Sequence, residues 1–460
     1  MFRKLANVSV KFIQLFLPDP FVIVIILTLL CFLLGIPLTG QDPLTMIRHW
    51  GNGIWGFLAF SMQMALILVL GSAMANSPPV KKLLKILASF PETAGQAIVL
   101  TTAVSLLACW LSWGFGLIVG ALIAKEIAKT GLKVDYPLLI ATAYSGFLIW
   151  HGGLSGSVPL AIASVPPAGQ AIANTGGILT HPIPTYQTIF AWWNIIICAG
   201  LFIILPLVNV AMHPKGDKIK LIDPALLAEE PEEKIIPKTP AEKLEYSPVI
   251  LWFLIAFALI YLFLRITTKG FTLDVNFVNL IFLTLGMIFY GRPILYLRGI
   301  VKAVRGVGPI LLLFPFYAGI QGLMSGATPI AAGGTGLSLV AVIANAFISI
   351  STQATYPLFT FLSASLIKIF VPSGGGQWAV QGPIMMPAGN SLGVAPAITA
   401  MAIAWGNSWA NMIQPFWALP ALGIAGLGAR NVFGYTLVIM FAVGFLICGA
   451  FYMTGFVLYG

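Results

Sequence analysis

An all-α polytopic membrane protein is the fold class this sequence predicts, and three observations predict it. Hydrophobic residues make up 59% of the 460-residue chain and charged residues only 8%, against about 25% charged in a soluble domain. Several apolar runs exceed the roughly 20 residues that cross the hydrocarbon core of a bilayer. Eight of the 14 carboxylates lie in one stretch between Met212 and Pro248, and none follows Asp274. Inside the membrane such a chain handles charge with backbone dipoles, hydroxyls, amides and very few cations.

The elements follow in order from hydropathy and from lysine and arginine placement. Arg3, Lys4 and Lys11 put the N-terminus inside. The apolar run from Pro20 to Pro37 lacks a small-residue cleavage site, so it is a retained first helix. An external loop and a returning helix, 54–77, reach Lys81, Lys82 and Lys85. The apolar stretch 93–128 starts and ends on the basic side and is broken at Ser112-Trp113-Gly114-Phe115-Gly116, which reads as a re-entrant hairpin. Helices at 136–163 and 187–212 go out and return to a charged cytoplasmic linker, 213–247. In the connecting region 248–306, helices at about 248–267 and 277–291 lead to Arg292, Arg298, Lys302 and Arg305, before a second unit, 307–460, with its own broken stretch at 355–388. The last helices, 396–428 and 434–457, leave the C-terminus outside, for about 9 full crossings. Of 24 basic residues, 20 are cytoplasmic on this scheme; Arg48, Arg265 and Lys269 are external or at that boundary, and Lys368 is deep in the membrane.

The net charge of +10 fits basic loops facing anionic lipid, not nucleic acid. Cys31, Cys109, Cys198 and Cys448 sit singly in apolar runs and read as core residues. No metal ligand set and no cofactor is expected, beyond a coupling Na+ or H+.

The units 54–212 and 307–460 read alike but insert in opposite senses. Gly114 to Gly146 spans 32 residues, as does Gly374 to Gly406. An inverted repeat with broken helices is the architecture of secondary transporters, with the site near the midplane where the breaks meet.

Four segments carry that expectation: Ser112 to Gly116; Tyr144-Ser145-Gly146 with Trp150 to Ser157; Pro372 to Trp378; and Trp405 to Asn411 with Gln414-Pro415. Glycine permits unwound backbone at membrane depth, tolerated only where it lines a cavity or is buried in protein. Each break exposes a half-helix N-terminus that attracts an anion and a C-terminal end that holds a cation. The candidate substrate-binding residues are therefore Ser112, Gly114, Gly116, Ser145, Gly146, Ser373, Gly374, Gly375, Gly376, Gln377, Asn407, Ser408 and Asn411. Lys368 and His151 are candidate coupling or charge-compensating groups; snorkelling to the interface is the other reading of Lys368, a satisfied boundary residue that of His151. Gly423, Gly426 and Gly428 read as tight helix–helix contacts.

LPDP (Leu17 to Pro20), FSMQMALILVLG (Phe60 to Gly71), SWGFGLIVGA (Ser112 to Ala121), DYPLLIATAYSGF (Asp135 to Phe147), FPFYAGIQ (Phe314 to Gln321), VPSGGGQWAVQGP (Val371 to Pro383) and MIQPFWALPALGIAGLG (Met412 to Gly428) span nearly the whole chain. In these stretches the sequence resembles the bacterial short-chain fatty acid transporter family. The resemblance implies a multi-pass permease of the bacterial inner membrane, with a small carboxylate such as butyrate or acetoacetate as its partner, the lipid bilayer around it, and a homo-oligomer as one possible assembly. It does not extend to Lys368 or His151, so the coupling ion stays open. A short acyl tail would lie against Trp113, Phe115, Trp378 or Trp405. A passive anion channel is the competing reading; an intramembrane enzyme fares poorly, with no HExxH motif and no aspartate pair in an apolar run.

Overall fold

The computed structural model describes residues 1–163, 175, 177–179, 181–222, 237–269, 275–304 and 307–460. Residues 223–236 of the expected linker, with Asp274 and Arg305, lie outside the described residues. Over the described residues the chain is helical and forms no strand. Six helical stretches have the length and composition to cross a membrane, and shorter apolar helices pack among them.

The helices, numbered in chain order, are α1 Phe2–Phe16, α2 Pro20–Thr39, α3 Pro43–Gly53, α4 Leu58–Ala75, α5 Pro78–Ala88, α6 Ala94–Leu111, α7 Trp113–Lys129, α8 Tyr136–Ser145, α9 Ser157–Ala163 and α10 Trp192–Met212. They continue as α11 Pro240–Glu245, α12 Pro248–Lys269, α13 Val275–Tyr290, α14 Pro293–Val304, α15 Gly308–Ser325 and α16 Leu339–Ser349. The set ends with α17 Tyr356–Phe370, α18 Gly374–Ser391, α19 Pro396–Ala410, α20 Ala418–Ala425 and α21 Ala429–Tyr459.

Their ends follow from local chemistry. Asp19 caps α2 by accepting from Phe21 N (2.9 Å), and Gly40 closes it at φ 68°, a left-handed turn that glycine enters freely. Thr93 and Gln96 form a capping box at the start of α6. Asp135 is fully buried, and its carboxylate accepts from Leu138 N (2.9 Å), Lys220 N (2.9 Å) and Tyr435 Oη (3.1 Å). Three donors and the α8 N-terminus satisfy its oxygens there.

Two pairs of helices form hairpins. α6 and α7 fold back on each other about a single extended residue, Ser112; a Cβ on Gly116 would lie 2.3 Å from Cys109 Sγ and 2.4 Å from its backbone N, so only glycine lets the arms close. α17 and α18 are separated by Val371-Pro372-Ser373. Each hairpin is followed by a broken helix. α8 passes into a 3-10 segment, Gly146–Gly152, and restarts at α9. α19 ends at Ala410, and a 3-10 turn, Pro415–Trp417, leads into α20.

The broken helices lie side by side and run antiparallel. Tyr136 Oη donates to Ala425 O (2.9 Å), Tyr144 Oη to Asn411 O (2.9 Å) and His151 Nδ1 to Ala404 O (2.8 Å), so residue numbers rise on one side as they fall on the other.

Several expectations are corrected. Gly114 and Gly116 lie inside α7, Gly374 to Gly376 inside α18, and Gly406, Asn407 and Ser408 inside α19, so none of them is unwound. Apart from Gly375, which meets open space, these glycines serve close approach. A Cβ on Gly406 would meet Phe361 O at 2.4 Å, and one on Gly374 would meet His151, Ser157 and Trp150 at 2.8 Å. Gly426 is a left-handed cap at φ 68° and Gly428 faces open space, so neither is a helix–helix contact, and Gly423 is exposed. Helices α1, α3, α5, α14 and α16 were not expected; four are short amphipathic segments, and α16 has 11 residues, well below a full span.

Candidate functional site

The four breaks converge, and hydrogen bonds join them. Within the first half, Trp113 N donates to Ser155 Oγ (2.9 Å) and Leu154 N to Trp110 O (2.8 Å), fixing the α6–α7 tip to the break before α9. Within the second half, Trp417 Nε1 donates to Pro372 O (2.8 Å), fixing the α17–α18 tip to the 3-10 turn before α20. Between halves, Gly374 packs on Trp150, His151 and Ser157, while Trp113 lies edge-on to Trp417 with ring centroids 5.0 Å apart. Phe147 and Trp150, stacked 5.4 Å apart, complete an aromatic wall at 5.7 and 6.3 Å from Trp417.

Lys368 sits at this junction, in the last turn of α17, with no solvent exposure. Its ammonium bonds to Pro372 O and to Asn407 Oδ1 (3.2 Å), and lies 5.7 Å above the Trp417 ring. The C-terminal end of a helix favours a cation. Among the described residues no carboxylate lies within ion-pair distance of it. Snorkelling is therefore excluded: the side chain points into protein.

A directed chain of amides supports this cation. Asn407 Nδ2 donates to Gln377 Oε1 (2.8 Å), Gln377 Nε2 to Ala364 O (2.7 Å) and Gln381 Oε1 (2.8 Å), and Gln381 Nε2 to Ser363 Oγ (3.1 Å). The carbonyl of Ala364 can only accept, so it fixes which end of Gln377 faces it. Gln377 in turn aims the oxygen of Asn407 at Lys368.

His151 is likewise buried and stacked on Trp150, ring centroids 3.5 Å apart. Because Ala404 O only accepts, Nδ1 carries the hydrogen, and Nε2 faces Ser157 Oγ at 3.0 Å. It is a partnered core residue of the junction, away from the interface.

The other candidates divide. Ser373 caps α18 by accepting from Gly376 N (3.1 Å). Gly375 is exposed, with open space where a Cβ would lie, so the first turn of α18 is reachable from outside the packed core. Ser112 supplies no side-chain cap to α7, a role that falls to Ser155. Ser145 bonds to Thr142 O (2.7 Å) and accepts from Asn209 Nδ2 (3.1 Å), and Gly146 packs on Ser105; these partners belong to the first half, not to the Lys368 chain. Ser408 Oγ and both side-chain polar atoms of Asn411 are buried without a hydrogen bond. Of the aromatic candidates, Trp113 joins the wall. Trp405 donates to Asn194 Oδ1 (2.8 Å) and packs on Gly152 of the break before α9, whereas Phe115 packs on Phe282 (5.8 Å), away from the junction; Trp378 is buried within α18.

Sequence reasoning missed Gln381, Ser363, Phe147, Trp417 and Asn194 as parts of this site. Gln381 had a signal, four residues after Gln377 and so on the same helix face. Asn194, a lone amide in an apolar run, had another.

The sequence profile of short chain fatty acid transporters matches residues 1–454. Two relatives named as candidate short-chain fatty acid transporters are each 41% identical: one from Escherichia coli (strain K12) over 462 residues, covering all of both chains, and one from Haemophilus influenzae (strain ATCC 51907 / DSM 11121 / KW20 / Rd) over 460 residues, covering 98% of this chain and all of the other. Among solved structures, the Alcanivorax borkumensis YdaH transporter aligns over 94% of this chain and 98% of its own at 18% identity, with a TM-score of 0.41. On full-length sequence similarity, this multi-pass membrane protein belongs to the short-chain fatty acid transporter family.

Proposed function

We propose that this chain carries short-chain fatty acids such as butyrate or acetoacetate across the bacterial inner membrane by secondary active transport. Coupling is to Na+ or H+, with alternating access between two inverted halves; the N-terminus is cytoplasmic and the C-terminus periplasmic. The observation that carries this reading is Lys368, a fully buried basic side chain at the convergence of the breaks with no carboxylate in reach among the described residues. A charge at the centre of a membrane helix costs roughly 2.5–3.5 kcal/mol on insertion scales, so it is kept for use. A substrate carboxylate supplies the missing negative charge, assisted by the N–H of Gly375 in the first turn of α18. The wall of Trp113, Phe147, Trp150 and Trp417 offers a short acyl tail an apolar surface. Antiparallel pairing of the two broken helices supports the inverted arrangement.

Uptake of labelled butyrate and acetoacetate into proteoliposomes, under separate sodium and proton gradients, tests this. Saturable accumulation that collapses with the gradient is expected. Lys368→Ala and Ser373→Ala should each reduce it while leaving membrane insertion intact. Conductance indifferent to any gradient would identify a channel instead.

A further inference from the structure

Resting on that reading, we propose that the Lys368 ammonium is a tethered substitute for a coupling metal cation, so that the carrier loads its carboxylate without sodium. The oxygens around Lys368 are those that a small hard cation takes: a main-chain carbonyl, Pro372 O, at the hairpin break, and an amide oxygen, Asn407 Oδ1, from the facing broken helix. Their orientation does not depend on the lysine alone. The amide of Asn407 is turned oxygen-inward because its nitrogen is committed to Gln377 Oε1, and Gln377 is held by Ala364 O, which can only accept. The backbone of α17 thus sets an oxygen pointing at this position whichever cation fills it, much as outer partners orient metal ligands.

Lys368 fills it from four residues before Pro372 on the same hairpin. When a carboxylate binds beside the ammonium, the pair is neutral overall, and a separate sodium ion would leave the core with a net positive charge. The low-dielectric interior penalises that surplus. Sodium is therefore dispensable in the native chain; a proton coupled in its place is the one carried by the Lys368 ammonium, since any further proton would bring the same surplus.

Removing the side chain should reverse the preference. Lys368→Ala leaves Pro372 O and Asn407 Oδ1 aimed at a gap that a sodium ion can occupy, so the variant becomes sodium-dependent. The experiment compares butyrate uptake by wild-type and Lys368→Ala proteoliposomes with sodium, lithium or choline as the external cation, at equal pH and membrane potential. In parallel, thermal melting of both purified proteins is followed in sodium chloride and choline chloride. The wild type should transport equally in sodium and choline. The variant should lose at least about tenfold in choline, as expected when one partner of a buried charge pair is removed, and recover activity in sodium or lithium. Sodium should also raise the melting temperature of the variant and not that of the wild type.

Wild-type uptake that stops in choline and returns with sodium would overturn the inference while leaving butyrate transport standing. A variant that reconstitutes and melts like the wild type, yet shows neither sodium rescue nor sodium-dependent melting, would also overturn it. Absence of butyrate uptake by the wild type under every gradient would instead remove the functional reading, and this inference with it.

Discussion

Individual side chains divide the labour at the junction. Lys368 carries the charge, Asn407 presents an oxygen to it, and Gln377 fixes which end of Asn407 faces inward. Asn407→Asp places a carboxylate 3.2 Å from the ammonium, where the amide oxygen stands now. That internal pair occupies the charge reserved for substrate. Butyrate uptake should fall at least about tenfold, while the protein still inserts; unchanged uptake would remove Lys368 from the substrate site. A second residue-scale prediction concerns His213, just beyond α10. Its Nε2 accepts from Asp135 N (3.2 Å), which requires the neutral ring, and burial lowers its pKa from 6.5 while Asp135 pulls in the opposite direction. A base whose folded pKa is depressed takes its proton more readily when unfolded. Its contribution to stability is thus complete above pH 6.5 and is lost as pH falls below that value toward the folded pKa. Melting temperatures measured across this window should decline on acidification, and less steeply in His213→Gln. Equal slopes for the two proteins would show that another group is responsible.

At the level of elements, the hairpins and broken helices were legible in the sequence, but the position of each interruption was not. Runs such as Ser373-Gly374-Gly375-Gly376 mark a break because glycine is a poor helix former. The break itself lies one step earlier, at Val371 to Ser373, where proline removes a donor and the serine hydroxyl caps the next helix. The glycines then sit in a first turn, whose N–H groups have no intrahelical partner to lose. At Gly374 and Gly376 what decides the residue is tertiary approach, which a single sequence does not display. A matched pair of substitutions separates these roles. In Gly153→Ala the new Cβ would lie 2.2 Å from the backbone oxygen of Trp110, and backbone cannot rotate away. The variant should lose about 1–3 kcal/mol of stability or more. Gly375→Ala meets nothing within 4 Å, so it should leave the melting temperature unchanged or raise it. Equal destabilisation of both would mean that the α6–α7 tip and the break before α9 are not joined as described. The amphipathic helices α1 and α5 escaped notice because their few lysines and arginines read as loop charges; once folded, Gly434 of α21 packs directly on Val10 of α1.

For the whole molecule, charge placement is the organising feature. Among the described residues, carboxylates are kept out of the convergence of breaks, where the buried Lys368 is held by oxygens and faced by an exposed helix start at Gly375. On the proposed function, a core of this kind would select a small anion on charge and limit its size by the surrounding tryptophans. Its membrane-spanning class followed from composition alone, whereas the pairing of α8 with α19 needed the folded chain, because no local pattern encodes which break meets which. The most direct measurement of the account is competition for labelled butyrate uptake in proteoliposomes between unlabelled acetoacetate and butyramide, the neutral amide of nearly the same shape. Recognition by a buried cation predicts that acetoacetate inhibits and butyramide does not, with Lys368→Ala erasing the difference in sodium-free medium. Equal inhibition by the neutral amide would contradict a carboxylate held through Lys368.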